Sequence, residues 1–143
     1  MMNKIRPSLT LELLQAREAC MSLFRPALNE IGLTEQQWRV VRILSQYEEL
    51  ESNQLADQAC ILKPSLTGIL NRMIEMNLIS KNKSAEDQRI YLIKLTEIGR
   101  KCFDHQVVKM EETYQKIQNE YGEEKLNLLI QLLKELRKVG ISK

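Results

Sequence analysis

Histidine is almost missing from this chain: His105 stands alone, and neither an acid–base partner nor a phosphate-binding loop accompanies it. An enzyme that works by proton transfer has nothing to rest on here. Cysteine is scarce and scattered. Cys20, Cys60 and Cys102 are odd in number and form no CxxC, so reduced thiols are expected, with no zinc site and no cofactor. No apolar run approaches the ~20 residues needed to span a bilayer. The opening MMNKIRPSLT also has no apolar core of the signal-peptide kind, which points to a cytoplasmic protein with no membrane role. A large excess of one charge is missing too: the formal net charge is +2, and gross charge alone announces no nucleic-acid partner. Internal repeats, low-complexity tracts and long linkers are absent. What is present is 143 residues, 43% of them hydrophobic, which is the size and composition of one compact domain.

Helical periodicity dominates. Ser8 is a plausible N-cap for a long helix whose apolar series runs Leu14, Met21, Phe24, Leu28. Arg17 falls on that same series, a charge on a stripe expected to be buried. Thr34 and Gln37 have capping-box spacing ahead of a second helix with Trp38, Val41 and Leu44 on one side, running to about Gln46. Ser52 is expected to cap a short helix, SNQLADQAC, with Leu55 and Ala56 inward. A fourth helix starts on Pro64, which suits a first turn because its missing N–H has no partner there anyway.

The pattern then changes. Leu78 to Lys83 and Ile90 to Leu95 are two β-rich runs flanking the polar SAEDQ, which predicts a hairpin with a charged tip. Thr96 can cap a last long region in which Phe103, Val107, Met110, Tyr114, Ile117 and Tyr121 recur at helical spacing. Such a helix is roughly 39 Å long at ~1.5 Å per residue, more than a small core can cover. A final helix from Glu123 to Lys138 places Leu126, Leu129, Leu133 and Leu136 on one side. Apolar-faced helices at both ends of the chain suggest a homodimer built from them.

The helix CILKPSLTGILNRMIEMN divides by chemistry. Leu66, Ile69, Leu70 and Met73 gather on one side. Pro64, Thr67, Gly68, Asn71, Arg72 and Glu75 gather on the other, with Ser65 at the edge. Hydroxyls and lysines bond phosphates, asparagine pairs with adenine, arginine pairs with guanine, and a glycine lets a base edge come close. The segment from Lys63 to Lys94 holds six basic residues against three acidic ones. A short helix, a turn and this helix make a helix-turn-helix, and the charged hairpin makes it winged. At its tip Arg89 suits a minor groove, with Asp87 holding the guanidinium. The DNA-binding set is Lys63, Pro64, Ser65, Thr67, Gly68, Asn71, Arg72, Asp87 and Arg89. Read blandly, the same face is a solvated helix surface.

The segment DQRIYLIKLTEIG resembles the wing and following helix start of MarR-type transcriptional regulators, whose wing carries Asp-x-Arg, matched by Asp87 and Arg89. The runs SLTLELLQAREACMSLFRP, LTEQQWRVVRIL and ACILKPSLTGILNRM extend the resemblance over nearly the whole chain. It implies a mainly α fold: a winged helix-turn-helix over about 34–96, with dimerisation helices at about 8–31 and 97–140. It also implies a homodimer on a pseudo-palindromic double-stranded operator. Such a protein represses an aromatic-acid catabolic operon, of the 4-hydroxyphenylacetate and homoprotocatechuate kind, and lets go when a small aromatic carboxylic acid binds.

That effector gives Arg17 a purpose. A guanidinium in an apolar setting needs an anionic partner, and a carboxylate held by a bidentate fork is a suitable one. Met21, Trp38 and Arg42 are its companions, with the ring against Trp38. Against this stand an internal salt bridge for Arg17, a core role for Trp38, and surface positions for Arg39 and Arg42. Two alternatives remain: hydroperoxide sensing through Cys20, expected to lie buried near Met21 and Leu23, and a helical module that binds another protein.

Overall fold

The computed structural model describes residues 5–141, so the first four residues of the MMNKIRPSLT start lie outside the described residues. The element order is α1 (Leu9–Glu30), α2 (Glu35–Leu44), β1 (Leu50–Glu51), α3 (Ser52–Ala59), α4 (Lys63–Glu75), β2 (Ile79–Lys83), β3 (Tyr91–Leu95), α5 (Glu97–Tyr121) and α6 (Glu123–Ile141). The fold is mainly α, and the expected sequence of four helices, hairpin and two helices is found. No helix among the described residues is long and apolar enough to cross a membrane.

Local chemistry sets the helix starts. The Ser8 hydroxyl accepts from the Leu11 N–H. Thr34 and Gln37 form the reciprocal pair their spacing predicts, with Gln37 N–H on Thr34 Oγ1 at 3.1 Å and Thr34 N–H on Gln37 Oε1 at 3.0 Å. Two starts differ from expectation by one residue. Glu51, not Ser52, precedes the first turn of α3, and its N–H donates to Gln54 Oε1 at 3.1 Å. Ser52 is already helical, and its hydroxyl is buried without a hydrogen-bond partner. Likewise α4 begins at Lys63 with Leu62 as its cap, and Pro64 takes the second position, where its missing N–H is equally harmless. At its far end α2 stops at Leu44, two residues before Gln46, because Ser45 is already the C-cap.

The hairpin is joined by a strand the sequence did not announce. The sheet order is β1-β3-β2, with Leu50 opposite Ile93 and Ile79 to Lys83 running antiparallel to Leu95 to Tyr91. Behind it lies a core of Val40, Val41 and Leu44 from α2, Leu55 and Ala59 from α3, Leu66, Leu70 and Met73 from α4, and Ile93 from β3, all buried. The hairpin leads into α5 through a close approach: a Cβ on Gly99 would lie 2.0 Å from the Leu78 carbonyl oxygen, so only glycine fits. Thr96 caps α5 as expected, its Oγ1 accepting from the Gly99 N–H at 3.0 Å.

The chain forms two compact units, dividing within α5 between Val107 and Val108. The second unit is the rest of α5 and α6. Of the leucines expected along one side of α6, Leu126 is buried and Leu136 half-buried, while Leu129 and Leu133 are exposed. Gly122, at φ 108°, makes the bend between the two helices.

A candidate nucleic-acid interface

Every residue expected to read DNA from α4 is exposed: Lys63, Pro64, Ser65, Thr67, Gly68, Asn71 and Arg72. The opposite face is anchored, with Leu66, Leu70 and Met73 at 3% exposure or less. A Cβ built on Gly68 meets nothing within 4 Å, so the chain itself imposes no need for glycine there. A groove of about 620 Å³ runs between this face and the start of α2, lined by Ser65, Gly68 and Arg72 on one wall and Thr34 and Gln36 on the other.

The hairpin tip is ordered by its own short side chains. Ser84 Oγ accepts from the N–H groups of Glu86 and Asp87, and the Ile90 N–H returns to the Asp87 carbonyl at 3.0 Å. Asp87 then grips Arg89 three times: Oδ1 accepts from its backbone N–H at 3.0 Å and Nε at 3.1 Å, and Oδ2 accepts from Nη2 at 3.0 Å. The hydrogen bonds from the Arg89 side chain and backbone hold the Asp87 carboxyl below its ordinary value, and the same pairing raises Arg89. The Arg89 side chain is 90% exposed. It is a cation aimed outward from a fixed base, as expected. Between α4 and the hairpin lies a second cleft, of about 350 Å³, with Thr67, Lys81, Arg89 and Tyr91 on its walls. There the Lys81 ammonium sits 4.5 Å from the Tyr91 ring centre.

The residues expected to hold a carboxylate ligand are less uniformly placed. Arg17 is not on a buried stripe: its side chain is 42% exposed, and α1 leaves most of its apolar residues open in the single chain. Its anionic partner is internal, Glu35 at the start of α2, with Glu18 at 3.5 Å; Glu18 also holds Arg25 at 2.9 Å. Trp38 is core, 7% exposed and stacked on Phe103 with ring centres 5.6 Å apart. Met21 is half-buried and Arg42 exposed. Cys20 is exposed rather than buried; Cys102 is half-buried, and burial pushes its thiol up. Glu35 was not foreseen, since nothing in the order of residues pairs it with a cation eighteen positions earlier. Nor was the half-buried position of Arg39, which is not the surface residue it was expected to be.

A model described as the MarR family matches residues 33–91, from the residue before the α2 cap through the first residue of β3. The homoprotocatechuate degradative operon repressor of Escherichia coli is 46% identical over 95% of this chain and 92% of its own. The chain belongs to the MarR family. Among solved structures, the transcriptional regulator PA4135 is 57% identical, with a TM-score of 0.91 over 94% of this chain and 98% of that one. The structure of NadR in complex with 4-hydroxyphenylacetate is 42% identical, with a TM-score of 0.86 over 97% and 99%. MarR regulators bind operator DNA as homodimers, and this chain is a transcriptional regulator of that family. In MarR terms, α3 and α4 are the helix-turn-helix and β2–β3 the wing.

Proposed function

We propose that the protein is a cytoplasmic repressor without enzymatic activity. Its α4 reads the major groove of a pseudo-palindromic operator, and a small aromatic carboxylic acid releases it. The observation that carries the DNA part is the division of α4: Ser65, Thr67, Asn71 and Arg72 are exposed while Leu66, Leu70 and Met73 hold the helix in place. Asn71 suits adenine and Arg72 guanine or phosphate, and Lys63 and Arg89 neutralise backbone charge. The face of α1, with Leu9, Leu13, Leu14 and Leu23 exposed in one chain, is where a second copy buries apolar surface.

The effector class follows from the resemblance to a homoprotocatechuate operon repressor and to a 4-hydroxyphenylacetate complex. Arg17 is its carboxylate receiver. Glu35 already occupies that guanidinium, so the ligand binds by exchange, its carboxylate taking the place of Glu35 on Arg17. Met21 and Arg42 flank the seat, and Trp38 closes its floor from the core.

The test is an electrophoretic shift on candidate operators across salt concentrations, with and without 4-hydroxyphenylacetate. A dimer-sized, salt-sensitive shift released by the acid is expected. No shift on any candidate would leave a protein-binding helical module instead. The exposure of Cys20 favours one second reading, release by organic hydroperoxide; loss of that release in Cys20→Ser, with the aromatic acid inert, would establish it over the first.

A further inference from the structure

The turn between α3 and α4 has no side-chain cap of its own. α3 ends at Ala59 with no basic residue in its last turn, and Cys60 follows in the left-handed region at φ 54°. α4 starts after Leu62, whose side chain offers no hydrogen bond. Among the described residues, the one side-chain hydrogen bond onto this turn comes from a third helix. Arg39 of α2 donates from Nη1 to the Ala59 carbonyl at 2.8 Å. A cation thereby sits at the negative end of α3 and satisfies a carbonyl that the helix leaves open.

That arrangement is not the cheapest way to build the core. Arg39 is half-buried, and its Nε is buried with no hydrogen bond. A desolvated donor of this kind works against stability. An unbranched apolar side chain of similar length would fill the same space without it. What such a side chain would lose is the fixed end of α3, and with it the direction in which α4 leaves the turn.

We infer that Arg39 is a positioning residue for operator recognition: its bond to Ala59 fixes the α3–α4 turn and so the register of Ser65, Thr67, Asn71 and Arg72 on the base edges. Arg39 touches no DNA. Its effect therefore falls on discrimination between sequences rather than on attraction to phosphate. This rests on the reading of α4 as the recognition helix.

The experiment compares Arg39→Met, Arg39→Lys and Asn71→Ala with the unaltered dimer, on operator and on random duplex of equal length, across salt, with melting temperatures alongside. Arg39→Met is expected to lower the operator-to-random affinity ratio about tenfold. Its random-sequence affinity and salt slope stay as they were, and its melting temperature moves by less than ~2 °C. Arg39→Lys, with a charge but no rigid fork, is expected to lose about threefold. A wild-type ratio in Arg39→Met overturns the inference, as does a salt slope reduced by about one, which would make Arg39 a phosphate contact. If Arg39→Met does not fold, a wild-type ratio in Arg39→Lys overturns it. Asn71→Ala separates the two claims. Wild-type discrimination there removes the recognition-helix reading and this inference together, whereas lost discrimination beside an unaffected Arg39→Met removes this inference alone.

Discussion

Helices α4 and α1 each carry an apolar face, and they resolve it in opposite ways. On α4, Leu66, Leu70 and Met73 are at 3% exposure or less, so the polar residues left outside are outside for good. On α1, Leu11, Leu14 and Leu23 are at least half exposed, and only Leu28 near its end is buried. A helix that packs on its own chain can be read residue by residue from periodicity. A helix whose face is completed by another copy cannot, because the side it buries is decided elsewhere. The contrast matches the proposed roles: α4 determines where the protein binds, and α1 with Arg17 determines when it lets go.

The comparison can be broken first by truncation. Leu70→Ala should destabilise the fold by about 2–5 kcal/mol in denaturant titrations, as buried leucines do. Leu14→Ala costs under ~0.5 kcal/mol if its face meets only water. A Leu14→Ala loss that approaches the Leu70→Ala loss and grows on dilution is the result expected if a second copy covers α1. Next in size is Asn71→Ala, which should weaken operator binding by about 1–3 kcal/mol in a fluorescence-anisotropy titration, at an unchanged melting temperature.

Gly68→Ala separates folding from reading by sign. The added Cβ meets open space, so the helix gains up to about 1 kcal/mol in melting experiments while operator affinity falls. Affinity that rises with stability would show that no base edge approaches there. The smallest effect is electrostatic and local. The Asp87 carboxyl, ordinarily at 3.8, is held lower by Arg89, so their link is fully present above 3.8 and is lost only as pH falls through the lowered value. An NMR titration of the Asp87 carboxyl should follow that order, and a midpoint at or above 3.8 would mean an unrestrained tip.

Much of the winged helix-turn-helix was legible because its causes are local. The Thr34–Gln37 cap, the two faces of α4 and the Asp87–Arg89 grip all act within three or four residues of sequence. What escaped is non-local. β1 is only two residues long and exists because Leu50 lies opposite Ile93, a pairing no propensity signals. Arg39 meets Ala59 and Arg17 meets Glu35 across twenty and eighteen positions, and the packing of the chain, not its pattern, brings them together. For Trp38 the core role was open to the sequence, but its stacking partner Phe103 was not.

The most direct test of the division between α4 and α1 is the Arg17→Ala dimer, titrated onto operator DNA with and without 4-hydroxyphenylacetate. The account predicts operator affinity close to that of the unaltered protein and loss of release by the acid. Release at the same acid concentration as the unaltered protein would contradict it.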